Sequence, residues 1–355
     1  MAKANTVAQV KDLSLRQIVQ LITACGNNVA FHLEGEPGVG KSSILEMLKK
    51  LLGESKYDFV YVDCPLIDLP DFAMPYVADG VTHYAPSAMW KLKSNKPKVV
   101  MLDELSKAPN VVKPMFTRLV LERCIGEFDL PEGSIVFSTG NYASDGVGDS
   151  MQGHVNNRVG KISVAKPTQE EWIEWAILNE VNGGIISVVH QMPQLLQSYK
   201  DDPKGENEYI FNPKRNTGAF VSPRSLAKAG FILDHREQFG NDLTLEALKG
   251  IIGVSAAAEF ITILDVADSL PTWEAIEKNP TKTEIPKSKA AQLLLLFGSI
   301  SRVNKKNAEA YTSYFYRYED ELKMLWARQF KNKLEAVMGV KEFRETLVAC
   351  HWIFS

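Results

Sequence analysis

Gly35-Glu36-Pro37-Gly38-Val39-Gly40-Lys41-Ser42 is a complete G-x-x-x-x-G-K-[ST] run. Before it, Val29-Ala30-Phe31-His32-Leu33 has the apolar character of a buried strand. After it, residues 43–52, Ser43-Ile44-Leu45-Glu46-Met47-Leu48-Lys49-Lys50-Leu51-Leu52, carry helical periodicity. Strand, glycine-rich loop and helix in that order form a phosphate cradle. Glycines let backbone N–H groups wrap the phosphates without a Cβ in the way, and the helix N-terminus adds positive potential. Residues Gly35 to Ser42, with Ser43 opening the helix, are therefore the candidate nucleotide-binding residues. Lys41 is placed to reach the β- and γ-phosphates and Ser42 to ligate Mg²⁺, so a nucleoside triphosphate with Mg²⁺ is the expected ligand.

A second run, Val99-Val100-Met101-Leu102-Asp103-Glu104, is an apolar strand ending in two carboxylates. At this distance behind a phosphate loop it reads as a Walker B element, with room for one strand in between. Asp103 is the expected residue of the Mg²⁺ shell and Glu104 the expected group that polarises the attacking water. Ser134-Ile135-Val136-Phe137-Ser138-Thr139-Gly140-Asn141 is another apolar strand, ending in an amide that suits the same water or the γ-phosphate. Two arginines complete the candidate catalytic set. Arg158 follows a short helical segment, precedes the strand at 161–164 and suits an arginine finger acting on a neighbouring subunit. Arg224 follows Ser222-Pro223, a good N-cap and first helical residue, so its guanidinium shares the direction of a helix N-terminus.

Outside these motifs the pattern divides in three. Residues 1–166 read as an α/β nucleotide-binding core: a helix over 13–24 with a capping box at Ser14 and Gln17, then strands at 29–33, 59–63, 98–102, 134–139 and 161–164. Two hairpins interrupt it, one turning at Asp79-Gly80 and one running from Cys124 through 130–133 into the strand at 134. Residues 167–265 read as a helical lid, with a second capping box at Thr168 and Glu171, a polar loop at 201–220, and helices at 223–237 and 243–265. Residues 266–355 read as a helical extension behind a linker at 279–287. Within it Tyr311, Tyr314, Phe315, Tyr318, Leu322, Leu325 and Trp326 recur at helical spacing, the signature of a packed stripe.

Bulk properties narrow the field. The chain has 355 residues, too many for one core, and its formal net charge of −3 gives no drive towards nucleic acid or anionic membrane. Its apolar runs are too short to span a membrane, and Met1-Ala2-Lys3-Ala4-Asn5 lacks a signal-peptide core. Four scattered cysteines read as reduced thiols, and six histidines without ligand spacing do not suggest zinc. A cytoplasmic protein is the expectation.

The order of phosphate loop, Asp-Glu pair, strand-terminal Asn141, Arg158 and the Ser222-Pro223-Arg224 helix resembles an AAA+ ATPase of the MoxR group, in which Asn141 takes the sensor 1 and Arg224 the sensor 2 position. Leu102-Asp103-Glu104-Leu105-Ser106-Lys107-Ala108-Pro109 is similar to that group's LDE(L/I)NRAP segment, with Ser-Lys in place of Asn-Arg. Asn157-Arg158-Val159 stands where Asp-Arg-Phe is common. The stretch 66–92 resembles the helix-2 insert, and the hairpin before 134 the pre-sensor-1 insert. The resemblance covers residues 10–265, and the tail beyond 265 is similar, more weakly, to helical extensions on some bacterial and phage MoxR-like proteins. The resemblance implies a parallel sheet of order 5-1-4-3-2, a helical lid and a homo-oligomeric ring, usually of six subunits. In such a ring ATP lies between protomers and Arg158 acts in trans. It further implies a chaperone-like ATPase that remodels a protein client, often beside a von Willebrand factor A (VWA) domain protein. Two alternatives stay open: a nucleic-acid motor or loader on the same fold, and an ATP-gated scaffold with little turnover.

Overall fold

The structure is a computed structural model and describes residues 11–142, 158–215 and 218–349. The chain forms two compact units. One is built from the chain up to Lys166 together with Pro213–Arg215, the other from the remainder.

In the first unit, five parallel strands form the central sheet: β1 (Phe31–Glu34), β2 (Asp58–Asp63), β5 (Lys98–Asp103), β8 (Ile135–Gly140) and β9 (Gly160–Ser163). They lie side by side as β2-β5-β8-β1-β9. Counted along the sheet from β9, these five strands give the order 5-1-4-3-2. With the phosphate loop after β1, this is a P-loop NTPase fold. Each expected strand is present within two residues of its predicted ends. Their legibility comes from burial on both faces, which makes each strand an apolar run. Along β5, Val99 and Met101 join one cluster with Ile18, Ile22 and Leu48, while Val100 and Leu102 join the opposite one with Phe116 and Leu119. The first cluster packs helices α1 (Leu15–Cys25) and α2 (Ser43–Leu52) on one face, and the second packs α4 (Lys113–Glu122) on the other, past the short α3 (Leu69–Phe72). Helix α1 begins with the Ser14–Gln17 capping box that the sequence announces.

Hairpin β3–β4 (Ala73–Ala78 and Val81–Pro86) turns through Asp79 (φ 53°) and Gly80 (φ 74°), the paired left-handed conformation that favours Asp-Gly in two-residue hairpins. The second hairpin differs from expectation. It closes early, as β6 (Cys124–Ile125) on β7 (Phe128–Asp129), with Gly126 at φ 60° in its turn. Residues 130–133 then make a separate turn into β8, which is why a turn-forming Pro-Glu-Gly stands there.

The second unit is helical. It contains Gln169–Leu178, which starts from the expected Thr168–Glu171 capping box, and Gly183–Gln191, Pro223–Leu233, Arg236–Ile252, which is interrupted at Gly240 (φ 74°), and Val254–Asp265. After these come Trp273–Lys278, Lys289–Ile300, Ala308–Phe315, Asp320–Arg328, Leu334–Val337 and Lys341–Ala349. The expected long helix at 243–265 is broken at Gly253 (φ 87°), where a Cβ would stand 2.7 Å from the Ala219 carbonyl oxygen. Residues expected to divide into a lid (167–265) and an extension (266–355) share one apolar core: Leu226 and Phe260 belong to the same cluster as Leu296, Phe315 and Trp326. Tyr311, Tyr314, Phe315 and Trp326 are fully buried, so the aromatic stripe is core. Residues 279–287 are irregular but pinned rather than a loose linker. Arg317 donates to the carbonyls of Pro280 (2.6 Å) and Thr283 (2.8 Å), and the Tyr314 hydroxyl donates to that of Glu284 (3.0 Å). Among the described residues no helix is long and apolar enough to cross a membrane.

Candidate nucleotide-phosphate site

The loop between β1 and α2 carries Gly38 at φ 78° and Gly40 at φ 101°, backbone conformations that side chains resist. Lys41 is 6% exposed, and its ammonium donates to the carbonyls of Gly35 (2.7 Å) and Glu36 (3.0 Å) and to Oδ1 of Asn141 (2.9 Å). Three acceptors for three N–H donors hold the charge over the mouth of the loop. Ser42 precedes the first residue of α2, yet its hydroxyl does not cap the helix. It points to Asp103 Oδ2 at 3.1 Å, which leaves no cap side chain across the helix N-terminus that would receive phosphate. Ser43 Oγ donates to the Gly40 carbonyl at 2.7 Å and so ties the end of the loop to the first helical turn.

Asp103 closes β5 and is 8% exposed. Its carboxylate accepts three hydroxyls: Ser42 and Tyr61 on Oδ2, the latter at 2.8 Å, and Thr139 on Oδ1. Glu104, next along, leaves the strand in the left-handed region (φ 54°, ψ 42°) with its N–H on Thr139 Oγ1 at 3.2 Å. That backbone turn brings its carboxylate to 2.8 Å from Lys107 Nζ and within 3.4 Å of the Asn141 amide nitrogen. Asn141 thus touches both Lys41 and Glu104. The parallel register makes this possible, since it sets Glu34 beside Gly140 and Leu102 beside Ser138, so β1, β5 and β8 end together.

Lys41, Asn141 and Glu104 on one side and Ser42 and Asp103 on the other are joined by Thr139, whose hydroxyl meets both Asp103 and the Glu104 N–H, into one hydrogen-bonded group. Arg158 is exposed in the turn before β9 and shares no hydrogen bond with that group; the helical segment expected just before it lies outside the described residues. Arg224 belongs to the other unit. It is exposed as the second residue of helix Pro223–Leu233, behind Ser222, which caps the helix through a box with Ser225.

Several polar residues near the loop gave no sequence signal. Tyr61, Thr139 and Lys107 reach the two carboxylates through strand order and chain turns that a linear pattern does not display. Glu36 carries a buried ion pair with Lys166 at 3.7 Å, each side chain about 5% exposed. Burial lowers the Lys166 pKa and the Glu36 charge opposes that shift. His32, inside β1, is 2% exposed with Nδ1 2.8 Å from Ser138 Oγ. Burial, then the positive charges of Lys161 and Lys41, lower its pKa to about 4, so the ring is neutral near pH 7. Lys98, in the Asn95-Lys96-Pro97-Lys98 stretch, is fully buried against Asp58 at 2.7 Å and serves the fold.

Residues 12–180 match the KAP family P-loop domain, a stretch that holds Lys41, Asp103, Glu104, Asn141 and Arg158 and stops short of Arg224. No curated protein matches the sequence. Among solved structures, NtrX from Brucella abortus in complex with ATP is 12% identical with a TM-score of 0.37, the match covering 98% of this chain and 69% of that one. A RuvB variant from Thermotoga maritima is 13% identical (TM-score 0.37, 76% and 75% covered). A putative ATPase from Cytophaga hutchinsonii is 17% identical (TM-score 0.33, 77% and 90% covered). These are distant likenesses, whereas the site's own geometry and the matched domain make the first unit a P-loop NTPase domain.

Proposed function

We propose that the protein binds and hydrolyses ATP as a MoxR-like AAA+ ring ATPase and spends the energy on remodelling or activating a protein partner. The observation that carries the hydrolytic part is the chain of contacts from Lys41 through Asn141 to Glu104. It couples the group that meets the phosphates to the group that activates water. When ATP enters, the Lys41 ammonium exchanges the Gly35 and Glu36 carbonyls for phosphate oxygens, and the Asn141 amide is left free to hold the water or the γ-phosphate. Glu104 then orients that water in line with the phosphorus, a positioning role.

Mg²⁺ fits the residues present. Ser42 and Asp103 offer only oxygen donors, 3.1 Å apart, which suits a hard cation that keeps most of its waters. When bound it supplies charge neutralisation at the phosphates. On the motif order alone, Arg158 takes the role of an arginine finger acting on a neighbouring subunit and Arg224 that of the sensor 2 arginine. The ring, its six subunits, the protein client and a VWA-domain neighbour rest on the motif order and the LDE-x-x-x-A-P likeness.

A second reading, the ATP-gated scaffold, has one observation in its favour: the Glu104 carboxylate is occupied by Lys107 at 2.8 Å. Single-turnover hydrolysis by the purified 355-residue chain at high concentration separates the two. Release of phosphate within minutes supports the ATPase; bound ATP that stays intact for hours supports the scaffold.

A further inference from the structure

Tyr61 lies on β2 between the buried Val60 and Val62, and is itself 49% exposed. A tyrosine facing outward on a strand ordinarily leaves its hydroxyl to water. Here the Tyr61 hydroxyl donates to Asp103 Oδ2 at 2.8 Å. The register explains the reach. Tyr61 pairs with Met101, two residues before Asp103, so the carboxylate is roughly 6.5 Å further along the sheet, about the length of a tyrosine side chain laid along the strand. Ser42 from the loop after β1 and Thr139 from β8 donate to the same carboxylate. An ionised carboxylate offers about four lone-pair sites. Three are filled by hydroxyls from three separate elements, and one remains for a water of the metal shell.

We infer that Tyr61 is a positioning residue for the metal-shell carboxylate. Its hydroxyl fixes the rotamer of Asp103, so that the one remaining lone pair is presented where nucleotide-borne Mg²⁺ arrives. This rests on the ATP reading above and adds a residue from outside the P-loop and the Asp-Glu pair. The exposed ring contributes little to the core, so removing only the oxygen tests the hydroxyl and not the packing. One hydrogen bond to a charged acceptor, half in water, amounts to roughly a three- to tenfold effect on the equilibrium it supports.

The test is a titration of the full chain with a fluorescent ATP analogue, in EDTA and across a Mg²⁺ series, for wild type and Tyr61→Phe. Mn²⁺ binding to the nucleotide complex, followed by electron paramagnetic resonance, is a second readout. The expected result is unchanged nucleotide affinity in EDTA and a three- to tenfold higher Mg²⁺ concentration for half-maximal tightening, with a matching loss of Mn²⁺ affinity. An unchanged Mg²⁺ dependence overturns the assignment. So does a loss of nucleotide affinity of equal size with and without Mg²⁺, which would make Tyr61 a nucleotide or folding residue. Wild type that binds no nucleotide in either buffer would defeat the ATP reading itself, a result distinct from both.

Discussion

Lys41 donates to two loop carbonyls and Asn141, which fixes its ammonium at the loop where phosphate is expected. Lys41→Met should leave the helical signal unchanged and weaken ATP binding by two orders of magnitude or so, as measured by calorimetry, because the charge-assisted contacts to phosphate go with it. Asn141→Ala should act differently: turnover falls about tenfold to a hundredfold while KM moves little, because the lost contact orients water rather than binding substrate. His32 carries a pH signature of its own. Its folded pKa is lowered to about 4 from 6.5. The stabilising effect is thus complete above pH 6.5 and is lost as pH falls towards 4, where the unfolded chain takes up the proton first. The shift corresponds to about 3 kcal/mol in all. Urea unfolding at pH 5 and pH 7 should show the fall, and His32→Gln should flatten it. Neither His32 nor Tyr61 was legible in the sequence, because a histidine inside an apolar run and a tyrosine on a strand gain their roles only from the neighbouring strands.

At the scale of elements, what the sequence showed and what it hid follow one physical division. Strands of the parallel sheet are buried on both faces and so appear as apolar runs; capping boxes at Ser14 and Thr168 and the Asp79-Gly80 turn are local chemistry, written within a few residues. The closing point of the second hairpin was misplaced because two turn-forming stretches, Gly126-Glu127 and 130–133, compete within ten residues and only pairing across the strands decides between them. The pinning of 279–287 was hidden for the same reason: its partners Tyr314 and Arg317 lie some thirty residues on. The Glu36–Lys166 pair is another such long-range tie, joining the phosphate loop to the chain just past β9. Removing one partner strands a buried charge. Lys166→Met alone should therefore cost about 3 kcal/mol or more, and adding Glu36→Gln should recover a substantial part of that cost, a coupling that a double-mutant cycle in urea measures directly.

At the scale of the whole chain, two units differ in how they are held together. The first is organised by hydrogen-bond register around one sheet. The second is organised by a continuous apolar core that takes in residues from both sides of position 265. Within it Trp326 is fully buried, stacked on Phe315 with ring centroids 5.1 Å apart, and donates its indole N–H to Ser299 Oγ at 2.9 Å. Trp326→Ala should cost about 3–5 kcal/mol and lower the unfolding midpoint of the helical unit, seen by circular dichroism in urea. If the group joined by Asn141 turns ATP over, Glu104→Gln should stop the turnover and spare the binding. This substitution keeps the shape and removes the base. The prediction is ATP affinity within about twofold of wild type, hydrolysis slowed at least a hundredfold, and ATP-loaded oligomers that persist on sizing. A Glu104→Gln protein that hydrolyses ATP at the wild-type rate would contradict it.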